Sequence, residues 1–410
     1  MKNILTALIF CLINANAYTQ VIKVCPDCKI NSIAQALKIA KNGYKILIEK
    51  GLYSERNIII DKSIQLIGAG NPVIDGDNKG EIITIKADNV SISGFTIKNV
   101  GTSYTEDNAA IKVVKGNFFT ISNNTLENVF FGITIEKSKH GIIENNNISS
   151  TATQEYNSGN GIHLWHCDDI KVKNNQLHGL RDGIYFEFVT NSSISGNISK
   201  NNVRYGLHFM FSNDNEYFEN TFVNNGAGVA VMFSKNINMH HNKFIKNWGS
   251  SSYGLLLKEI YDAEITDNLF EQNTIGIHAE GSTRINYKKN NFINNGWAIK
   301  ISGACYTNKF TKNNFVSNAF DVSYNSKLND NVFDNNYWSE YAGYDLDKNG
   351  IGDVPFRPVK LFSYIANKTP ETIVLLRSLF IDIINFSEKV SPVFTPDNLL
   401  DNNPLMQEIK

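Results

Sequence analysis

The chain has no surplus of charge of either sign. Its 39 Lys and Arg stand against 40 Asp and Glu, a formal net charge of −1 over 410 residues. That balance excludes a broad basic footprint for nucleic acid and an acidic solvating tail, so a charged partner must be met by local patches. No GxxxxGK[ST] stretch occurs, so the chain lacks the phosphate loop with which to hydrolyse ATP itself. Cysteine is scarce, with five residues in all. Cys25-Pro26-Asp27-Cys28 has redox spacing but no βαβ unit around it, which favours a local disulfide over a catalytic or metal role. Cys167 and Cys305 read as small buried residues.

What is present begins with an export signal. Lys2 gives the positive start, Ile4 to Ile13 an apolar core, and Ala15-Asn16-Ala17 an A-x-A cleavage site, which puts the mature chain in an oxidising compartment from Tyr18 onward. Lipidation at Cys11 is the weaker alternative, because bulky Phe10 precedes it. At 42% hydrophobic content the length suits two or three ordinary domains or one elongated repeat domain.

The repeat decides between them. Asn-x-[Leu/Ile/Phe], followed after about five residues by Gly and an apolar residue, places its Asn at 124, 146, 175, 197, 220, 242, 268, 290, 313 and 331. A period near 22 residues fits one coil of three short strands, which cannot bury its apolar face without neighbours above and below. The two longer steps predict loops around Ser150 to Asn160 and Gly249 to Tyr253. The fold expected is all-β: a right-handed parallel β-helix with an N-terminal capping helix and a C-terminal amphipathic helix plus extended tail. Its organisation is signal 1–17, cap and first coils 18–68, coil stack 69–340, Asp-rich loop 341–358, helix and tail 359–410. Ser32 with Gln35 makes the capping box, and Ile33, Ala36, Leu37 and Ala40 the apolar face of the capping helix. The repeat Gly residues, such as Gly183 and Gly206, are expected at a tight bend or at positive φ. The repeat Asn residues are expected to stack in ladders.

The Gly also sets the register. Residues one and three beyond it, such as Ile184 and Phe186, face inward, so residues two and four beyond it face out. The outward columns carry His163, Tyr185 and His208 beside Trp165, Glu187, Met210 and Met232. Thioether and imidazole suit Cu(I), and carboxylate suits harder or oxidised ions, which makes His163, Glu187, His208, Met210 and Met232 candidate copper ligands. The alternative is an apolar stripe covered by a loop or partner, since Met is commonly filler. Trp165 and Tyr185, with Phe188 and Phe211 nearby, read as a contact surface.

Two further segments carry candidates. Asp345, Asp347, Asn349 and Asp353 occupy EF-hand-like positions around Gly350, but Phe356 stands where a bidentate Glu is required. The loop is either a structural Ca²⁺ site or a turn held by Asx hydrogen bonds. Thr369 and Pro370 open a helix bearing Ile373, Leu376, Phe380 and Ile384, interrupted by Arg377 and Asp382 and too short to span a bilayer. It is suited to packing against another protein, and the tail after it needs something to lie on.

Longer stretches resemble the NosD family of exported β-helix accessory proteins in nitrous oxide reductase maturation. They include Gly161-Ile162-His163-Leu164-Trp165, Arg181-Asp182-Gly183-Ile184-Tyr185-Phe186-Glu187-Phe188 and Arg204-Tyr205-Gly206-Leu207-His208-Phe209-Met210-Phe211-Ser212. Gly226-Ala227-Gly228-Val229-Ala230-Val231-Met232-Phe233-Ser234, Asn336-Tyr337-Trp338 and the closing Pro404-Leu405-Met406 match as well. The resemblance implies a periplasmic, non-enzymatic subunit supplying copper. Its implied partners are an ATP-binding-cassette permease with its ATPase, a copper chaperone lipoprotein and the reductase. It also implies docking on the permease through the C-terminus, Leu405 and Met406 included. The copper ligands come from the ladder, since the resemblance provides no short motif for them. The competing readings are a carbohydrate-active β-helix and a ligand-free adhesion scaffold; against the first, Trp165 stands between the outward carboxyls Glu136 and Glu187.

Overall fold

A computed structural model describes residues 20–103, 105–325, 330–376, 378–390 and 399–410. The expected export signal, Arg377, and Pro392 and Pro396 of the expected tail lie outside them. Each coil contributes three short strands, which stack into parallel sheets of 14, 12 and 13 strands. Successive coils align in register, as in the inward column Ile162, Ile184, Leu207, Val229, Leu255 and Ile277 of the twelve-stranded sheet. All six are fully buried. Phe222, Phe244, Phe270, Phe292, Phe315 and Trp338 form a second interior column, with ring centroids 4.1–5.5 Å apart. Burying each ring contributes about 1.5–3 kcal/mol, and each burial depends on the coil beside it.

Asparagines close the turns of the stack. The amide Nδ2 of Asn220 donates to Asn242 Oδ1 at 3.1 Å and to the carbonyl of Ile194 at 2.9 Å, and the same pattern runs from Asn124 to Asn336. The structure corrects the last rung, because Asn313 donates to Asn336 at 2.9 Å, while Asn331 accepts from Asn308 in a separate ladder. A short final step had placed Asn331 there; Asn336 restores the coil length.

The repeat glycines do not adopt positive φ. They are needed for close approach, since a Cβ on Gly206 would meet Gly228 O at 2.6 Å and Phe222 Cδ1 at 2.9 Å. Gly206 and Leu207 are both buried while Tyr205 packs on His208 of the outward column, so the alternation slips at the Gly, a bulge that puts the residue before it on the outer face.

Helix α1 (Ile33–Ile39) covers the first coils, with Ser32 Oγ accepting from Gln35 N at 3.1 Å and Ile33, Ala36 and Leu37 buried. Cys25 and Cys28 form a disulfide, and Cys167 and Cys305 are buried and free. At the other end, α2 (Leu361–Lys368), a 3-10 turn (Pro370–Leu375) and α3 (Leu379–Val390) pack against the last strands. The single helix expected after Thr369 is therefore a 3-10 turn followed by α3, and α2 precedes it. Residues 399–410 return to the coil stack, where Asp401 pairs with Phe333 and Phe356 and Leu405 pairs with Tyr337 and Ile351. No helix among the described residues is long and apolar enough to cross a membrane.

Candidate functional site

The outer face of the twelve-stranded sheet carries three parallel columns. Two residues beyond the Gly run Thr134, His163, Tyr185, His208, Ala230, Leu256 and His278, each opposite the next. Four residues beyond it run Glu136, Trp165, Glu187, Met210, Met232, Lys258 and Glu280 in the same register. The bulge adds a third column, from the residue before the Gly, with Asp182, Tyr205 and Tyr253.

The central column points outward yet is covered. Tyr205 packs on His208 and Tyr253 on His278, with ring centroids 4.9 and 5.2 Å apart. His163, Tyr185 and His208 form a continuous stack at 4.8 and 4.7 Å. Burial, with Arg181 beside it, pushes His163 down to about 4, so it is neutral at pH 7. Burial and the Glu187 carboxylate push the Tyr185 phenol up to about 12.

Beside His208 lies a polar knot the sequence reading did not single out. Arg204 grips the fully buried Asp182 with two hydrogen bonds of 3.0 and 2.7 Å, and His208 Nδ1 is 3.9 Å from the same carboxylate. Burial would raise Asp182, but the His208 ring and the Arg204 guanidinium outweigh it and hold it below the ordinary carboxylate range. The signal was available one column upstream, where Asp182 interrupts a line of mostly apolar residues before the Gly.

The sulfur pair sits in the outermost column. Met210 and Met232 are direct cross-strand partners and half-buried, with Glu187 the partner of Met210 on the other side. Tyr185 Oη donates to Met210 Sδ at 3.7 Å. The expected ligands thus divide into groups. Glu187, Met210 and Met232 are contiguous, and His208 is on the Met210 strand. His163 is three coils from Met232, about 14 Å at a strand spacing of ~4.8 Å. It lines instead a cavity of about 230 Å³ with Asp107, Thr134, Glu136, Trp165 and Glu187. His163 Nε2, Thr134 Oγ1 and His208 Nε2 are buried without a hydrogen-bond partner. Trp165 does stand between Glu136 and Glu187, as expected.

The remaining candidates fall elsewhere. In the Asp-rich loop, Asp345 Oδ2 accepts from Gly350 N at 2.9 Å, Asp347 Oδ2 from Asn349 Nδ2 at 2.9 Å, and Asp353 Oδ2 from Leu346 N at 2.7 Å. Among the described residues no three His, Cys, Asp or Glu are grouped as metal ligands. In the C-terminal segment Ile373 and Phe380 are exposed, whereas Leu376 and Ile384 pack with Ile381, Phe362 and Phe320. Leu379, Phe380, Ile383 and Phe386 are 74%, 60%, 55% and 68% exposed and lie on one face of α3. Leu405 and Met406 are half-buried in the returning tail.

Residues 149–343, the coils that hold this stripe, match the family model described as NosD, periplasmic copper-binding protein. The match is to these coils alone. Beyond that segment the chain is 27% identical over 374 residues to a probable ABC transporter binding protein NosD of Pseudomonas aeruginosa, covering 86% of each. It is 26% identical over 375 residues to the protein of the same name from Stutzerimonas stutzeri, covering 85% of this chain and 84% of that one. Both NosD relatives are named as binding proteins rather than as enzymes. Among solved structures, the catalytic domain of a GH87 α-1,3-glucanase superposes with a TM-score of 0.64 at 14% identity, over 78% of this chain and 69% of that one. PfbA, a surface adhesin of Streptococcus pneumoniae, gives 0.55 at 16%, over 72% and 87%. At such identities the two share the β-helix with this chain and nothing more is drawn from them. The donor set suits the copper of the family description: two neighbouring thioethers, a carboxylate beside them and an imidazole on the same strand.

Proposed function

We propose that this chain is the periplasmic component of an ABC-transporter-linked machinery that supplies copper for the copper centres of nitrous oxide reductase. Copper is its cargo, carried as Cu(I) on the outer face of the twelve-stranded sheet. The observation that carries the reading is the pairing of Met210 with Met232, flanked by Glu187, inside the segment that matches the NosD family model. Soft thioethers favour Cu(I) over the harder ions abundant around a cell. Glu187 and His208 supply donors that suit an oxidised or departing ion, and the covered imidazole of His163 lines the neighbouring cavity. Trp165 and Tyr185 form the contact surface for the chaperone that delivers the ion. The permease, with its ATPase behind it, meets the exposed face of α3, and Leu405 and Met406 extend the docking surface from the tail. A Ca²⁺ ion in the Asp345–Asp353 loop would be structural, replacing hydrogen bonds that the carboxylates now make to their own turn.

Anaerobic equilibrium dialysis against a Cu(I) chelator tests the copper assignment. The wild-type protein should retain Cu(I), and Met210→Ala/Met232→Ala should weaken retention at least tenfold. Equal retention by both would remove the sulfur pair from the path.

A further inference from the structure

On a different face of the coil, the fourteen-stranded sheet brings together two consecutive histidines and a glutamate. His240 ends the strand Lys235–His240, and His241 follows in the turn at φ 55°, a left-handed conformation that points its ring back toward its neighbour. The two Nδ1 atoms are 3.0 Å apart. On the far side of the first ring, His240 Nε2 lies 3.1 Å from Glu216 Oε1, which also accepts from Asn238 Nδ2 at 2.9 Å. The His240 ring is further fixed by stacking on Phe218, with centroids 5.0 Å apart and planes within 4°.

The hydrogen bonds set the tautomers. Glu216 accepts, so His240 Nε2 carries the proton and its Nδ1 presents a lone pair. In the metal-free protein His241 Nδ1 must then be the donor across the 3.0 Å gap. Moving the His241 proton to Nε2 leaves two lone pairs facing one point. With metal–nitrogen bonds of about 2.0 Å, that separation corresponds to an N–metal–N angle of roughly 100°, between the square-planar and tetrahedral values. A carboxylate holding the remote N–H of a ligating imidazole is the usual outer-shell support of such a ligand, since it fixes the ring and raises its basicity. The turn also sets Glu219 and Asp267 one coil to either side of His241, both exposed and both in the same left-handed conformation. Their carboxylates make the approach favourable to a cation.

We infer that His240 and His241 chelate a borderline divalent transition ion such as Zn(II) through their Nδ1 atoms, with Glu216 orienting His240. The site is separate from the Met210–Met232 stripe in sheet and in chemistry: imidazole nitrogen with water to complete the shell, against thioether sulfur.

Calorimetric titration of the purified protein with Zn(II) alone at neutral pH is the test. One equivalent should bind to the wild type. His241→Asn, which keeps a residue tolerant of left-handed φ, should weaken that binding at least tenfold without shifting the melting temperature. Glu216→Gln should weaken it by about tenfold, as loss of an outer-shell partner does. Met210→Ala/Met232→Ala should leave it unchanged, which separates this site from the copper reading whatever the fate of that reading. Absence of Zn(II) binding by the wild type, or unchanged binding in His241→Asn, would overturn the inference.

Discussion

Asp401 Oδ2 lies 3.0 Å from Asn336 Nδ2, where the next asparagine of the ladder would place its own carbonyl oxygen. It also accepts from Asn336 N and from Trp338 Nε1, each at 3.0 Å. A residue 65 positions along the chain thus ends the interior amide ladder. The returning tail is in this respect part of the coil stack.

Removing that acceptor should be costly. Asp401→Ala leaves Asn336 N and Trp338 Nε1 without their acceptor and takes one of two from Asn336 Nδ2, and is expected to destabilise the protein by about 3 kcal/mol, whereas Asp401→Asn, which keeps a carbonyl oxygen, should cost less than about 1 kcal/mol. Urea unfolding of the two variants measures the difference. Burial raises the Asp401 carboxyl despite the donors around it. A raised carboxyl holds its proton in the folded state, so its contribution is greatest below the unfolded value of 3.8 and is lost as pH rises through the folded one. Asp401→Asn should therefore gain on the wild type between acidic and neutral pH.

The coil interior predicts a second cost. Gly228→Ala would drive its Cβ into the Gly254 carbonyl and to within 3.0 Å of Asn247 Nδ2. Overpacking against backbone should lower stability by about 1–3 kcal/mol, read as a lowered denaturant midpoint.

These two devices mark how far the sequence could be read. The 22-residue spacing, Ser32 with Gln35, and the inward and outward columns were legible because periodicity encodes them locally. The role of Gly206 was not, because its neighbour is a backbone atom of the next coil. Nor was Asp401, which replaces an asparagine after a long detour through the helices. At the candidate site, counting from the Gly placed Met210 beside Met232, while the bulge that brings Asp182 to the same face depends on strand geometry.

Acid should weaken the fold. His163 and His278 are both pushed from 6.5 to about 4, chiefly by burial, with Arg181 beside the first and Lys300 beside the second. The unfolded chain takes up their protons first as pH falls from 6.5 to 4, so their contribution is intact above 6.5 and lost across that window. Each imidazole accounts for roughly 2–3 kcal/mol at the acid end. Unfolding midpoints at several pH values should show the decline, and His163→Gln should flatten part of it.

The exposed face of α3 should govern association with the transporter. Leu379→Asp/Phe386→Asp removes apolar surface that is 74% and 68% exposed, so folding should be unaffected. Co-purification with the membrane permease should be lost. Retained co-purification would move the docking surface elsewhere.

The most direct test of the proposed copper-carrying face is X-ray absorption on the Cu(I)-loaded protein. Sulfur scattering from two thioethers should be present in the wild type and absent in Met210→Ala/Met232→Ala, with His240 and His241 intact in both. A nitrogen and oxygen shell that is the same in the two proteins would contradict the account.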